Sequence, residues 1–170
     1  MTKKYIDAVL WRRYATSTSD CLWGSRLNQY YIELRPDDYA RFFGNSARQA
    51  KDQDGNETYS ITLEAFDGVP QVASTDITFT LLRAGLQRAR KWRINGQHKD
   101  QAYALWRRRH GPQKEFAEMD PVEKATNLLV IVRDVGGCFH GRWIRSEDFE
   151  KLPLLFQTIF REKSSGWREL

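Results

Sequence analysis

"STSDCLWGSRLNQYYIELRPDDYARFFG", residues Ser17 to Gly44, is the stretch on which the reading of the fold turns. Its later half runs an apolar, aromatic segment through a proline into a helical pattern stopped by glycine. "NQYYIEL" predicts a strand. In "RPDDYARFFG", Pro36 suits the first helical position, where its missing N–H costs nothing. Asp37 and Asp38 then fall in the first turn and complement the positive end of the helix dipole. Tyr39, Phe42 and Phe43 share a buried face, and Gly44 suits a left-handed stop.

Working outward, "YIDAVLWRRYA" (Tyr5 to Ala15) predicts a first strand, and "TSTSD" (Thr16 to Asp20) a loop. Gly44 to Glu57 is polar, with repeated turn residues, and reads as a surface loop. In "TYSITLEAF", Tyr59, Ile61, Leu63 and Ala65 alternate with polar residues, the pattern of a half-buried strand. "ITFTLLRAGLQRARKWRING" admits two readings. Phe79, Leu82, Leu86 and Ala89 fit a helical stripe, whereas Ile77, Phe79 and Leu81 alternate as a strand with "KWRIN" as another. Gly85 costs a helix about 1 kcal/mol relative to alanine.

A helix is expected from Lys99 to His110, and another turn at "PVEKATN". Residues 96–126 thus read as a helical insertion. "NLLVIVRDVGGCFHGRWIR" predicts a hairpin around "RDVGG". "SEDFEKLPLLFQTIFREK" predicts a helix capped at Ser146, with Leu154, Leu155, Ile159 and Phe160 carried after Pro153. The tail, 164–170, reads as a linker or the start of a further element.

With 170 residues, 41% hydrophobic and 29% charged, the chain reads as a single soluble domain, 1–170, large enough to bury a core. Its longest apolar run, "LLVIV", is too short to span a bilayer, and its first residues lack a secretory cleavage pattern, so no membrane association is expected. Cys21 and Cys138 make neither a disulfide framework nor a zinc site, which points to a reducing cytoplasm. The net charge is +5, unevenly spread. Arg83 to Arg109 holds nine Lys/Arg against the single acid Asp100, an excess of eight positive charges. Such a segment attracts polyanions.

Catalytic patterns are weak. His98, His110 and His140 have no partner at metal spacing, and His140 in "CFHGRW" reads as a strand residue. No phosphate-binding glycine loop of the P-loop or dinucleotide type occurs. Asp120 and Glu123 in "MDPVEKATNLLVIV" superficially echo metal-dependent restriction nucleases, which need carboxylates converging on Mg²⁺. Here they precede a strand in a proline-containing turn, the setting of a solvated helix start. Glu64 and Asp67 offer a further acidic pair without an evident partner. The reading is therefore a non-enzymatic binding domain, with no catalytic residue, metal or cofactor.

Two segments suit a nucleic acid. In "WRRYATSTSDCLWGSR", arginines bracket small hydroxyls and a tryptophan. Arginine forks to phosphate or guanine, and Ser and Thr reach phosphates or bases. "RAGLQRARKWRINGQ" adds Gln and Asn, which read adenine. Ser19-Asp20, Ser25-Arg26-Leu27 and then Pro36, Ala40, Phe42 and Phe43 resemble the opening of the B-three DNA-binding pseudobarrel. That family includes plant transcription-factor domains and the specificity or effector domains of some restriction endonucleases. The plant Trp-Asn-Ser signature is absent, and the restriction branch is the better match.

The resemblance implies an α+β, mainly β fold: an open seven-stranded pseudobarrel with short helices at its ends. It implies two arms gripping the major groove of double-stranded DNA, within Arg12 to Asn28 and Arg83 to Asn95, and it favours the strand reading of "ITFTLL". Arg12, Arg13, Lys91 and Arg93 would mainly meet phosphates. Ser17, Thr18, Asp20, Trp23 and Arg26 would form the first reading arm, and Arg83, Gln87, Arg88 and Arg90 the second. The expected function is sequence-specific recognition within a restriction system, with a nuclease domain or subunit after the C-terminus. The alternatives are a small Mg²⁺-dependent nuclease and an RNA-binding module using the "LWRRRHG" helix.

Overall fold

The computed structural model describes residues 5–13, 31–65, 74–85, 90–95 and 119–170. Among them are nine strands: β1 (Ile6–Arg13), β2 (Tyr31–Leu34), β3 (Arg48–Lys51), β4 (Glu57–Ala65), β5 (Ser74–Leu82), β6 (Lys91–Asn95), β7 (Leu128–Asp134), β8 (Phe139–Ile144) and β9 (Ser165–Glu169). Short helices punctuate them: α1 (Tyr39–Phe43), α2 (Pro121–Thr126), α3 (Ser146–Phe149) and α4 (Leu154–Glu162). The fold is mainly β, as expected, but the sheet has nine strands where seven were expected. Its order is β2-β6-β5-β4-β8-β7-β1-β9, with β3 added to β4. Neighbours run antiparallel except β4 and β8, which pair in parallel from Leu63–Phe139 to Ala65–Gly141.

The sheet curls into a nearly closed barrel whose seam lies between its edge strands, β2 and β9. Side chains bridge the seam in place of a strand ladder. The Arg35 backbone N–H donates to Ser165 Oγ at 2.7 Å, and the Tyr39 hydroxyl donates to the same oxygen at 3.4 Å. From β1, Arg12 Nε donates to the Glu33 carbonyl at 2.8 Å. Helix α1 plugs the interior with the fully buried Tyr39, Phe42 and Phe43. It begins at Tyr39, so Pro36 precedes it rather than opening it, and Asp38 is its N-cap. Gly44 follows it at φ +54° and ψ −138°, a positive φ that favours glycine but not the left-handed helical stop that the sequence suggests.

Strands β1 and β7 are buried on both faces. Ala8, Leu10, Leu129 and Ile131 face the barrel core, while Val9, Trp11, Leu128, Val130 and Val132 pack outward against Phe149, Ile159 and Phe160 of α3 and α4. A strand covered on both sides needs no polar alternation, which explains the unbroken "LLVIV".

Four expectations need correction. The polar loop Gly44 to Glu57 contains a 3₁₀ turn and strand β3, which hides from periodicity because all four of its residues are exposed. The tail forms β9, paired with β1 from Ala8–Glu169 to Arg12–Ser165. Arg145, not Ser146, caps α3. Leu154 and Leu155 are exposed, because α4 presents Phe156, Ile159 and Phe160 to the core. By contrast, the strand reading of β5, the β7–β8 hairpin and the helical turn at α2 agree with the structure. The Lys99–His110 helix lies outside the described residues.

Candidate nucleic-acid interface

The end of β5 and the start of β6 bring the cations of the basic segment next to the β3–β4 turn. That turn is held from within. Asp52 accepts from the backbone N–H and side-chain amide of Asn56, and the Asn56 N–H bond measures 2.8 Å. These bonds, led by the one from the amide side chain, hold the Asp52 carboxyl below its ordinary range. Asn56 is buried, and its Oδ1 accepts the backbone N–H of Arg83 at 2.9 Å. One asparagine thus ties the β3–β4 turn to the residue that opens the basic segment. Gly55 sits at φ +74°, and a methyl group there would stand 3.0 Å from Arg83 Nη2. The guanidinium lies against the turn because that glycine leaves room.

Between these elements is an open cleft of about 320 Å³, lined by Lys51, Gly55, Glu57, Leu81, Arg83, Ala84 and Arg90. Among the described residues, three cations from three separate segments meet one acid there. Glu57 pairs with Arg90 at 3.3 Å and accepts from the Tyr59 hydroxyl at 3.2 Å. Burial, then the charge of Glu57, pushes the Tyr59 hydroxyl above its ordinary range. A second cleft of about 370 Å³ shares Glu57, Leu81 and Arg90 with the first and continues past Tyr59 and Trp92 to Asp37 and Asp38. Beside it, Lys91 Nζ meets Glu33 at 3.0 Å on the exposed face. Arg93 is half-buried on β6.

The arginines of β1 are placed differently. Arg12 donates to the Glu33 and Arg13 carbonyls, and Arg13 to the Phe160 and Arg161 carbonyls at the end of α4. Desolvation lowers the pKa of both guanidinium groups. Arg12 Nε and Nη1 and Arg13 Nη2 thus bond main-chain carbonyls, while Arg13 Nε is buried without a hydrogen-bond partner among the described residues.

Ser17, Thr18, Asp20, Trp23, Arg26, Gln87 and Arg88 lie outside the described residues. The anchors of their segments are nonetheless clear. The β2–β6 ladder runs from Tyr31–Asn95 to Leu34–Trp92. The connection 14–30 joins this ladder at its Tyr31 end, and residues 83–90 join it at the other. That distance is roughly 10 Å for a four-residue strand. Sequence reasoning missed Lys51, Asn56, Glu57 and Tyr59. Their signal was the Asp-x-x-Gly-Asn turn, which marks a tight bend but not its neighbour in space.

The acidic groups considered for catalysis also have partners. Asp120 caps α2, with Glu123 closing a reciprocal capping box. Glu64 Oε2 stands 3.6 Å from Nδ1 of buried His140, whose Nε2 is 3.0 Å from Asp134 Oδ2. Asp134 is desolvated, which favours its neutral form, but hydrogen bonds from His140, Cys138 and Gly136 outweigh that and lower its pKa. Asp67 lies outside the described residues. Among the described residues no His, Cys, Asp or Glu cluster of three fits a metal ion. Nor is any described helix long and apolar enough to cross a membrane. Neither protein-family models nor curated proteins match the chain.

Proposed function

We propose that this chain binds double-stranded DNA and reads its sequence, as the recognition module of a restriction system, with the barrel as a B-three-type scaffold. The observation that carries this reading is the gathering of Lys51, Arg83, Arg90 and Lys91 around the start of the basic segment. Exposed cations on neighbouring strands suit a phosphate backbone, whereas the β1 arginines are spent on carbonyls. The phosphate role thereby moves from Arg12 and Arg13 toward Lys51 and Lys91. Because the connections 14–30 and 83–90 join the β2–β6 ladder at opposite ends, the duplex would lie across that ladder with one segment on either side. A major groove about 12 Å wide matches a ladder of this length. In this reading the chain is a binding module that leaves cleavage to a separate nuclease domain or subunit.

Selection from randomised duplexes, with methylated and unmethylated cytosine, tests the reading. One enriched sequence is the expected result. Arg26→Ala or Arg88→Ala should relax preference at one base position and cost roughly 1–3 kcal/mol. Equal loss on every sequence would refute base reading by these residues. Plasmid incubated with the protein and Mg²⁺ should remain uncut, and nicking would favour the nuclease alternative.

A further inference from the structure

We infer that the two joined clefts beside β5 and β6 form a binding site for one nucleoside 5′-monophosphate, either free or as the phosphorylated end of a strand. The inference goes beyond duplex recognition, because it assigns a discrete pocket and can be tested without a duplex.

The chemistry is polarised along the groove. At one end, among the described residues, Lys51, Arg83 and Arg90 face a single carboxylate, Glu57, an excess of two positive charges. A phosphomonoester carries close to two negative charges at neutral pH, whereas an internal phosphodiester carries one. The main chain of Arg83 is anchored beside the cleft. Its backbone is held by buried Asn56, and its guanidinium lies against Gly55. A planar guanidinium fork matches the geometry of a phosphate oxyanion.

The other end is lined by acceptors and aromatic rims. Tyr59 and Trp92 are nearly buried, with ring centroids 5.3 Å apart, and line the second cleft together with Asp38 and Glu57. Carboxylates accept hydrogen bonds from the exocyclic amine of cytosine or adenine, a donor that thymine lacks. Each cleft, at about 320 and 370 Å³, falls in the range of small-molecule sites. The two share Glu57 and Arg90, so the bridge between phosphate and base runs over an ion pair. Arg90 would turn from Glu57 toward the phosphate, releasing Glu57 to the base.

Isothermal titration of the full chain with dCMP, dAMP, dTMP, deoxycytidine and inorganic phosphate tests the site. The expected result is that dCMP binds at least tenfold more tightly than either deoxycytidine or phosphate. Arg83→Ala and Arg90→Ala should each bring dCMP down toward deoxycytidine, with circular dichroism unchanged. Asp38→Asn should weaken dCMP and dAMP but leave dTMP as it was. Binding of dCMP no tighter than that of phosphate, or insensitive to both arginine variants, would overturn the inference. Comparing duplexes with 5′-phosphate and 5′-hydroxyl ends separates the sources. A gain from the phosphate supports a strand end, and equal affinity alongside tight dCMP supports a free nucleotide. If hydroxyl-ended duplex binds while every nucleotide fails, this site is refuted and the DNA reading stands.

Discussion

Two groups of cations divide this molecule. Arg12 and Arg13 at the seam turn their donors inward to carbonyls, while Lys51, Arg83, Arg90 and Lys91 border open clefts or exposed strand faces. The sequence presents all of them as the same kind of basic residue. The difference is positional: β1 lies beneath α4 and next to β9, whereas the β5–β6 end has the β3–β4 turn across from it. Charge density therefore marks the open basic end of the barrel only after the seam arginines are set aside.

The largest test of this division is at the seam. Arg12→Ala should cost about 3 kcal/mol in chemical denaturation, because it leaves the Glu33 and Arg13 carbonyls without their charged donor. The same variant should leave the salt dependence of DNA affinity unchanged. A strong binding loss with intact stability would erase the distinction.

Alkaline titration probes the seam next. Burial pushes the Tyr39 hydroxyl up to about 12 from an ordinary value of 10. Its folded pKa lies above the unfolded one, so this contribution is complete below pH 10 and is lost as pH rises toward 12. The linked loss is roughly 2–3 kcal/mol. Tyr39→Phe should remove it, flattening the stability profile between those values; an unchanged profile would place the titration elsewhere.

At the outward-facing end, Asn56→Ala should cost about 2 kcal/mol, since a buried amide loses its bonds to Asp52 and to the Arg83 N–H. Under the DNA reading it should also weaken binding by displacing Arg83. Smallest is Lys91→Ala. Its exposed pair with Glu33 should contribute below about 0.5 kcal/mol to stability. Under the DNA reading, however, the salt slope of binding should fall by about one.

Much of the barrel was legible in the sequence because its strands have one wet face or two dry ones. β4 alternates, β7 is continuously apolar, and both patterns are recognisable. β3 and β9 were not legible. The residues of β3 are all exposed, and β9 begins Ser-Gly, buried by its place at the seam rather than by its own apolarity. The shift of α1 from Pro36 to Tyr39 has the same kind of cause: Leu34 through Pro36 follow the seam, where the Arg35 N–H bonds to Ser165, before the chain can coil. The site was legible as a basic segment but not as a cleft. Lys51, Asn56 and Glu57 come from a turn far away in sequence, and only the β4–β5 register brings Glu57 opposite Leu81.

The pairing of β9 with β1 has a consequence for the order of assembly. The indole of Trp11 donates to the Lys163 carbonyl across a separation of 152 residues. Closing so long a loop is slow relative to zipping the local β7–β8 hairpin. The barrel should therefore fold with its seam last, its interior aromatics waiting on the final strand to arrive. In native-state hydrogen exchange, the amides of β9 should open before those of β7.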